Sequence, residues 1–343
     1  MSCTETPFIL AIESSCDDTS AAVLQGTEVR SNCIATQELH AQFGGVVPEL
    51  ASRAHQQHIV RVVQYALDKA NIAKNDLSAI AFTKGPGLLG SLLVGVSFAK
   101  SMAHALNIPL IEVNHMQAHI LAHFIKDAHV APPDFPFLAL TVSGGHTQIV
   151  QVNAFDSFVL LGQTLDDAVG ECFDKSAKVL GYSYPGGPHI DRLAQSGDPN
   201  AFELSVPAVP ELNFSYSGLK TQFSKLVQSH AQSDEQFITK RKNDLAATLQ
   251  QTIVTSLLNK VLEAMKQTGI RQLTLGGGVA ANSGLRKALE NAAIEKNFKV
   301  FIPELRYCTD NAAMIGINAY FKYLKGSFSD LSVQAQARYS VHS

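Results

Sequence analysis

The strongest constraint on the fold is an internal repeat. In each half of the sequence an apolar strand, a polar turn and a returning strand come first, over residues 8–24 and 137–152. Each half then continues with a short strand, a glycine-rich turn, a helix, a strand and a second helix, over 79–126 and 272–324. Two copies of one α/β unit predict a bilobal α/β fold with a cleft between the lobes. Ligands bind at strand ends in open sheets of this kind.

The repeat also predicts the domain boundary. We expect one lobe over 1–130 and a second over 131–343, with a helical insertion near 160–230 in the second copy. A chain of 343 residues is long enough for two domains, and a hydrophobic fraction of 46% is enough for two cores.

Composition excludes several classes of protein. The net charge of −3 neither indicates nor excludes a nucleic-acid binder, because a near-neutral total can hide a basic face. The five cysteines form no Cys-x-x-Cys pair, which argues against a zinc ribbon or a disulfide framework. The N-terminus lacks the pattern of a signal peptide, and glycine and serine interrupt the longest apolar stretch, 88–99. We therefore expect a cytoplasmic protein with no membrane span. The polar stretch after Gly326 resembles low complexity and carries no motif.

Two histidines follow the last strand of the first copy. His115 and His119 are spaced i and i+4, which places both imidazoles on one face of a helix, where they can bind one metal ion. Such a pair alone is more often two ordinary helix histidines. However, Asp310 occupies the matching place in the second copy, where it would otherwise be a helix N-cap. If the two loops face each other across the cleft, the three side chains form a metal site with open positions.

Three glycine-rich turns lie at predicted strand ends. They are 143–145, 276–278 followed by Asn282, and 184–187 followed by Asp191. Glycine lets a ligand approach the backbone closely, and helix N-termini and consecutive N–H groups bind phosphate. One such turn would be an ordinary hairpin, but three together predict a nucleotide held between the lobes.

The turn of the N-terminal hairpin, 13–18, is not rich in glycine but acidic, and it would repel a phosphate. Within it, Asp17 is our candidate for the catalytic base that orients an amine or accepts its proton. The alternative is a solvated acidic turn.

Taken together, these motifs resemble those of the TsaD family, the tRNA N6-adenosine threonylcarbamoyltransferases. The resemblance runs in order from about residue 9 to residue 320. The motifs that carry it are 13–19 (ESSCDDT), 85–95 (GPGLLGSLLVG), 114–119 (NHMQAH), 142–147 (VSGGHT), 174–175 (DK), 184–187 (YPGG), 217–221 (SGLKT), 276–282 (GGGVAAN) and 309–311 (TDN).

The resemblance implies an actin-like, Hsp70-like ATPase fold and a specific reaction. The threonylcarbamoyl group of threonylcarbamoyl-adenylate would be transferred to N6 of adenosine 37 in tRNAs that read codons beginning with A, with release of AMP. It implies a divalent metal on His115, His119 and Asp310, with iron (Fe²⁺) favoured by the two-His, one-carboxylate set and Zn²⁺ as the alternative. The residues expected to line the adenylate pocket are Thr141, Val142, Ser143, Gly144, Gly145, Asp174, Gly187, Asp191 and Asn282.

Partners are implied in the same way: tRNA, a smaller TsaB-like protein of related fold, and a TsaE-like P-loop ATPase. Three alternative functions are open at this point. A metallopeptidase would need a glutamate after the first histidine, where this chain has Met116. An actin-like ATP-binding scaffold would have no need of the metal ligands, and a sugar or acetate kinase would transfer phosphate from ATP.

Overall fold

The computed structural model describes residues 6–37, 40, 43, 45–126 and 131–342. Its strands are β1 Phe8–Glu13, β2 Thr19–Gln25, β3 Glu28–Ala35, β4 Ala79–Gly85, β5 Leu110–Asn114, β6 Phe137–Val142, β7 Thr147–Ala154, β8 Ser157–Gln163, β9 Gln272–Gly276 and β10 Lys299–Phe301. Its α-helices are α1 Pro48–Ala70, α2 Leu89–Leu106, α3 His115–Leu121, α4 Val169–Val179, α5 Gly187–Ala194, α6 Ser217–Ala231, α7 Phe237–Thr268, α8 Ser283–Lys296 and α9 Ala312–Leu324.

The strands form two five-stranded sheets of identical topology. Their orders are β3-β2-β1-β4-β5 and β8-β7-β6-β9-β10. In each sheet the first strand pairs antiparallel with the second and parallel with the fourth, as β1 does with β2 and β4, and β6 with β7 and β9. The structure thus confirms the predicted repeat.

The first sheet is covered on both faces. Along β1, Ile9 and Ala11 join a core formed with α3 and α9, whereas Leu10 and Ile12 join a core formed with α1 and α2. A strand buried on both faces needs apolar residues at successive positions, which explains the run Phe-Ile-Leu-Ala-Ile in β1. Because both faces are packed, the strand ends of this sheet are held rigidly.

The chain divides into two compact units. The first comprises 1–39, 46–132 and 304–343, and the second comprises 40–45 and 133–303. Residues 304–343, which the sequence-based boundary assigned to the second lobe, belong to the first unit because α9 packs on β1 and β2. Residues 127–130, where that boundary falls, lie outside the described residues.

The second unit carries the larger helical content. Between its third and fourth strands lie α4, α5, α6 and α7, where the first unit has α1. The first three of these helices lie within or next to the predicted insertion, and α7 extends well beyond it. The sequence analysis did not predict β8. Apolar and polar residues do not alternate regularly along β8, and only Phe158 and Gly162 of this strand are buried.

By length and composition, α2 is the one helix in the described part of the chain that could cross a membrane. One third of the residues of α2 are buried, and Leu92, Val96 and Ala99 on this buried side pack in the first unit. Such a helix is weak evidence for a membrane span, since core helices pass the same test.

We expect Gly316→Val to destabilise the first unit. A Cβ at Gly316 would lie 2.3 Å from Cδ1 of Leu24, where α9 meets β2, so the larger side chain forces a shift in the core. The expected loss is about 1–3 kcal/mol in the free energy of unfolding, measured by urea titration. Lys287→Val, at an exposed position of α8, is the control and should change it by less than about 0.5 kcal/mol. Equal stability of Gly316→Val and the wild type would contradict this packing.

Candidate functional site

The helix that carries the histidines starts directly at the end of a strand. Asn114 ends β5 and caps α3, its Oδ1 accepting hydrogen bonds from the backbone N–H groups of Met116 and Gln117. His115 is therefore the first residue of α3, and His119 lies one turn later. Both imidazoles are buried, with ring centroids 4.7 Å apart.

Asp310 completes a three-residue cluster. Its Oδ1 lies 3.4 Å from Nε2 of His115 and 3.1 Å from Nε2 of His119. One ligand atom from each of the three residues lies within 4.8 Å of the others. All three residues belong to the first unit, whereas the sequence analysis placed Asp310 on the opposite lobe. Asp310 is not the N-cap of α9, because Asn311 has that role through its hydrogen bond from Met314 N–H.

Sequence reasoning missed one carboxylate of this cluster. Glu13, at the end of β1, is fully buried, and its Oε2 lies 3.1 Å from Nδ1 of His115. Ser15 N–H and the Thr83 hydroxyl each donate to this carboxylate at 2.5 Å. The sequence signal was present, since an acidic residue ending an otherwise apolar buried strand needs a partner.

The charges in the cluster depend strongly on one another. Burial by itself lowers the pKa of His115, but the Asp310 and Glu13 carboxylates outweigh it and raise that pKa well above its usual value. Burial likewise opposes ionisation of Asp310, yet the two histidines hold its pKa well below the usual value. The pKa of His119 is lowered, mainly by burial. A positive charge therefore stabilises this site.

This donor set fits a divalent metal. A carboxylate can only accept a hydrogen bond, so Glu13 keeps a proton on Nδ1 of His115 and leaves Nε2 for the metal. Ligand atoms about 2.0–2.2 Å from an ion lie roughly 3–3.5 Å from one another, which matches the contacts of Asp310 with both histidines. His119, Asp310 and His115 can therefore hold the ion with little rearrangement.

The acidic turn lies next to this cluster in the first unit. His55, itself buried, holds the turn through Nε2, which lies 3.1 Å from the Cys16 carbonyl oxygen. Asp17 lies beside the Cys16 thiol. Asp18 does not fit the alternative of a fully solvated acidic turn: burial, together with the charges of Asp17 and Asp310, raises its pKa to about 7. Asp18 is thus a second proton-accepting group in the turn.

Four glycines of the second unit are explained neither by backbone conformation nor by packing. A Cβ would meet no atom within 4 Å at Gly144, Gly145, Gly187 or Gly278, and none of the four has a positive φ. Apart from Gly276, the other described glycines have a positive φ or a close neighbour. All four belong to the three turns singled out in the sequence. Open space beside a bare backbone is what a closely approaching ligand requires.

Packing brings the turns at 143–145 and 276–278 together. A Cβ at Gly277 would lie 2.3 Å from the Val142 carbonyl oxygen, and one at Gly170, in the first turn of α4, would lie 2.6 Å from that of Ser143. Thr141 pairs with Gly276 in the sheet, and its buried hydroxyl has no hydrogen-bond partner among the described residues.

The polar residues predicted for the pocket stabilise its frame. Asp174 accepts hydrogen bonds from the N–H groups of Gly186, at 2.7 Å, and Gly187. Asp191, on α5, accepts hydrogen bonds from the backbone and hydroxyl of Ser283 at the start of α8. Asn282 caps α8 and donates through Nδ2 to Gln250. These side chains therefore position the turns, and the exposed backbone is left for a ligand.

Fold and site together define a class: an actin-like ATPase fold with a candidate two-His, one-carboxylate metal centre. Solved structures of the same fold include full-length HypF, with a TM-score of 0.60 and 14% identity over 95% of this chain. This chain spans about half of that HypF chain, 48%. Component A of (R)-2-hydroxyglutaryl-CoA dehydratase from Acidaminococcus fermentans has a TM-score of 0.53 and 16% identity, covering 93% of this chain and 99% of its own. At these identities the likeness shows the fold alone.

Sequence comparison identifies the family within this class. The model of the TsaD family, tRNA N6-adenosine threonylcarbamoyltransferase, matches residues 28–317. The enzyme of that name from Christiangramia forsetii is 60% identical over 96% of this chain and 97% of its own length. Those from Phocaeicola vulgatus and Clostridioides difficile are 52% and 47% identical, over 97% and 95% of this chain and 99% and 96% of their own. The chain belongs to the TsaD family.

We expect the acidic turn to make the metal-free protein less stable as the pH rises. The pKa of Asp18 rises from 3.8 to about 7 on folding, so its stabilising contribution is complete below about pH 4 and is lost as the pH rises through 7. In urea unfolding of the metal-free protein, the free energy of unfolding should fall less between pH 5 and pH 8 for Asp18→Asn than for the wild type. An identical fall in both proteins would contradict a raised pKa.

Proposed function

We propose that this chain transfers the threonylcarbamoyl group from threonylcarbamoyl-adenylate to N6 of adenosine 37 of tRNA, forming t6A. In the reaction the new bond joins N6 to the carbamoyl carbon, the bond from that carbon to the phosphate oxygen breaks, and AMP leaves. The observation that carries the proposal is the cluster of His115, His119 and Asp310 in a chain that belongs to the TsaD family.

His115, His119 and Asp310 would hold a divalent cation, with Fe²⁺ favoured and Zn²⁺ as the alternative. The bound cation would supply Lewis acidity and orient an oxygen of the donor. Glu13 fixes the tautomer and the ring orientation of His115 through its contact with Nδ1. Thr83 and Ser15 hold that carboxylate in place, so the ligand geometry does not depend on a mobile side chain.

The second unit would bind the adenylate. The backbone N–H groups of Gly144 and Gly145 would donate hydrogen bonds to the phosphate of the donor and of AMP, because the space beside both residues is open. Asp174 and Asp191 position this surface, and the open space beside Gly144, Gly145 and Gly187 supports close approach of a ligand.

The proton of the attacking amine requires an acceptor. Asp17 is the candidate from the sequence, and Asp18 is a second one, because a carboxyl with a pKa of about 7 is well matched to proton transfer at neutral pH. Replacing each with asparagine and comparing the pH dependence of transfer distinguishes them. If one of the two residues is the base, its asparagine variant loses the fall in transfer rate that the wild type shows at low pH.

The proposal includes the partners and location expected of the family. They are tRNA, a smaller TsaB-like protein, a TsaE-like P-loop ATPase, and the cytoplasm as the compartment in which tRNA is modified. The competing functions receive less support. The residue after His115 is the buried Met116 and cannot act as the glutamate of a metallopeptidase. The metal cluster is unexplained in a scaffold or a kinase.

We expect His119→Ala and Asp310→Ala each to abolish stoichiometric metal binding and to lower transfer by at least about two orders of magnitude. The fold should be retained, since the site lies at the start of α3 and α9 and not within the sheet. Metal content, circular dichroism and transfer of labelled threonylcarbamoyl to unmodified tRNA provide the three measurements. His104→Ala, an exposed histidine on α2, is the control. Full activity in a metal-free double variant would disprove the role of the metal centre.

We expect Gly145→Val to weaken AMP binding by about 10-fold or more without affecting stability. The side chain has free space in the folded chain but would occupy the space through which a ligand reaches the backbone. Isothermal titration with AMP and thermal unfolding measure the two effects. Asn200→Val, at an exposed turn of the same unit, should behave as the wild type. An unchanged AMP affinity in Gly145→Val would place the nucleotide elsewhere.

A further inference from the structure

The polar stretch after Gly326 has a defined place in the first unit. We call residues 336–342 the strap segment. Gln336 N–H donates to the Lys84 carbonyl at 2.8 Å, and the Ala337 carbonyl accepts from Gly87 N–H at 3.2 Å. The Lys84 ammonium also lies 5.0 Å from the centre of the Tyr339 ring. The strap segment is therefore bound along the loop that follows β4.

The end of the strap segment contacts the helix that carries the histidines. Asn114 Nδ2 donates to the Ser340 carbonyl at 2.7 Å, and Gln117 Nε2 donates to the Val341 carbonyl at 2.8 Å. Both amide side chains are buried, and the Val341 side chain is only 1% exposed. A buried apolar side chain thus fixes the backbone that presents the two carbonyls.

The contact at Asn114 determines the orientation of its amide. Oδ1 can cap α3 only while Nδ2 points away from the helix, and the Ser340 carbonyl is the acceptor in that direction. Without it, a buried N–H group loses its partner, which costs free energy and favours other orientations of the cap. His115 follows Asn114 directly, so the same contact fixes the start of the helix from which both histidines project.

The end of β4 and the loop after it, which the strap segment contacts, also contact Glu13 and Ser15, the residues beside His115. Thr83, at the end of β4, donates to Glu13, and Leu88 N–H donates to the Ser15 carbonyl at 2.7 Å. The strap segment therefore borders both the helix of the metal ligands and the loop beside the carboxylate that orients His115.

We propose that the strap segment is a positioning element of the metal centre: its two carbonyls hold the first turn of α3 and so preset His115 and His119 for one ion. The inference rests on the proposed metal centre. No residue of the strap segment belongs to the cluster of His115, His119 and Asp310, so the segment would act through Asn114 and Gln117. Outer partners of this kind typically change metal affinity by about 10–100-fold.

Two variants of the full-length chain test this role. One lacks residues 340–343, which removes both carbonyls and the Val341 side chain and leaves Gln336 and Ala337 in place. The other is Val341→Asp, which places a charge at the buried anchor. His342→Asp adds the same charge at the neighbouring exposed position and is the matched control. Val341→Ile is the conservative variant.

Amide hydrogen exchange of peptides covering α3 and Zn²⁺ affinity from chelator competition are the two readouts. We expect faster exchange in α3 of the metal-free deletion and Val341→Asp variants, with β6 of the second unit unchanged, and Zn²⁺ binding at least about 10-fold weaker. His342→Asp and Val341→Ile should match the wild type.

Unchanged protection of α3 in the deletion variant would overturn the inference whether or not metal binds. Faster exchange with Zn²⁺ affinity within about twofold of the wild type would overturn it as well, because the helix start would then not limit metal binding. A wild-type protein that takes up no Zn²⁺ would instead contradict the metal centre itself, and the inference with it.

Discussion

The site depends on a chain of polar side chains that links Glu13, His115, Asp310 and His119. Burial opposes ionisation of Glu13, His115 and Asp310, and each of these three has an oppositely charged neighbour that offsets it. Removing His115 would leave two neighbouring carboxylates without a positive partner. Two carboxylates and two imidazoles placed in this way form a candidate cation site, with its side chains already oriented towards one point.

The elements around this chain hold it rigidly. Glu13 ends a strand that is packed on both faces, His115 starts a helix capped by Asn114, and Asp310 precedes the cap of α9, which packs on the same sheet. Each candidate ligand therefore lies within about one turn of the start of a helix, where the backbone is well determined. Metal sites on such elements are more precise than sites on loops.

The sequence was sufficient to predict the repeat, the histidine pair and Asp310 as the third member of the cluster, because strand-turn-helix order and i, i+4 spacing are local properties. The sequence was insufficient to predict that Asp310 belongs to the first unit. That depends on α9 packing its apolar face against β1 and β2, a contact between distant parts of the chain. Glu13 and His115 are 102 positions apart in the sequence, so their contact could not be predicted from local patterns. The only sign of it in the sequence is one acidic residue at the end of an apolar strand.

The second unit shows the same limit. Glycine-rich turns could be found in the sequence, but only the structure separates glycines that pack closely, such as Gly277 and Gly170, from those with open space, such as Gly145. Asp174 and Asp191 were predicted to line an adenylate pocket, and in the structure they accept hydrogen bonds from backbone N–H groups of Gly186 and Ser283. The polar stretch after Gly326 gave no signal at all, because its contacts with α3 are made by backbone carbonyls, which no residue type reveals.

The most direct test of the central claim is single-turnover transfer from labelled threonylcarbamoyl-adenylate to unmodified tRNA by the wild-type chain with its partners. It is run with the metal first chelated and then restored. The account predicts that label reaches the tRNA only in the metal-replete reaction and that activity returns in proportion to the metal bound. Transfer at an undiminished rate in fully chelated protein would contradict it.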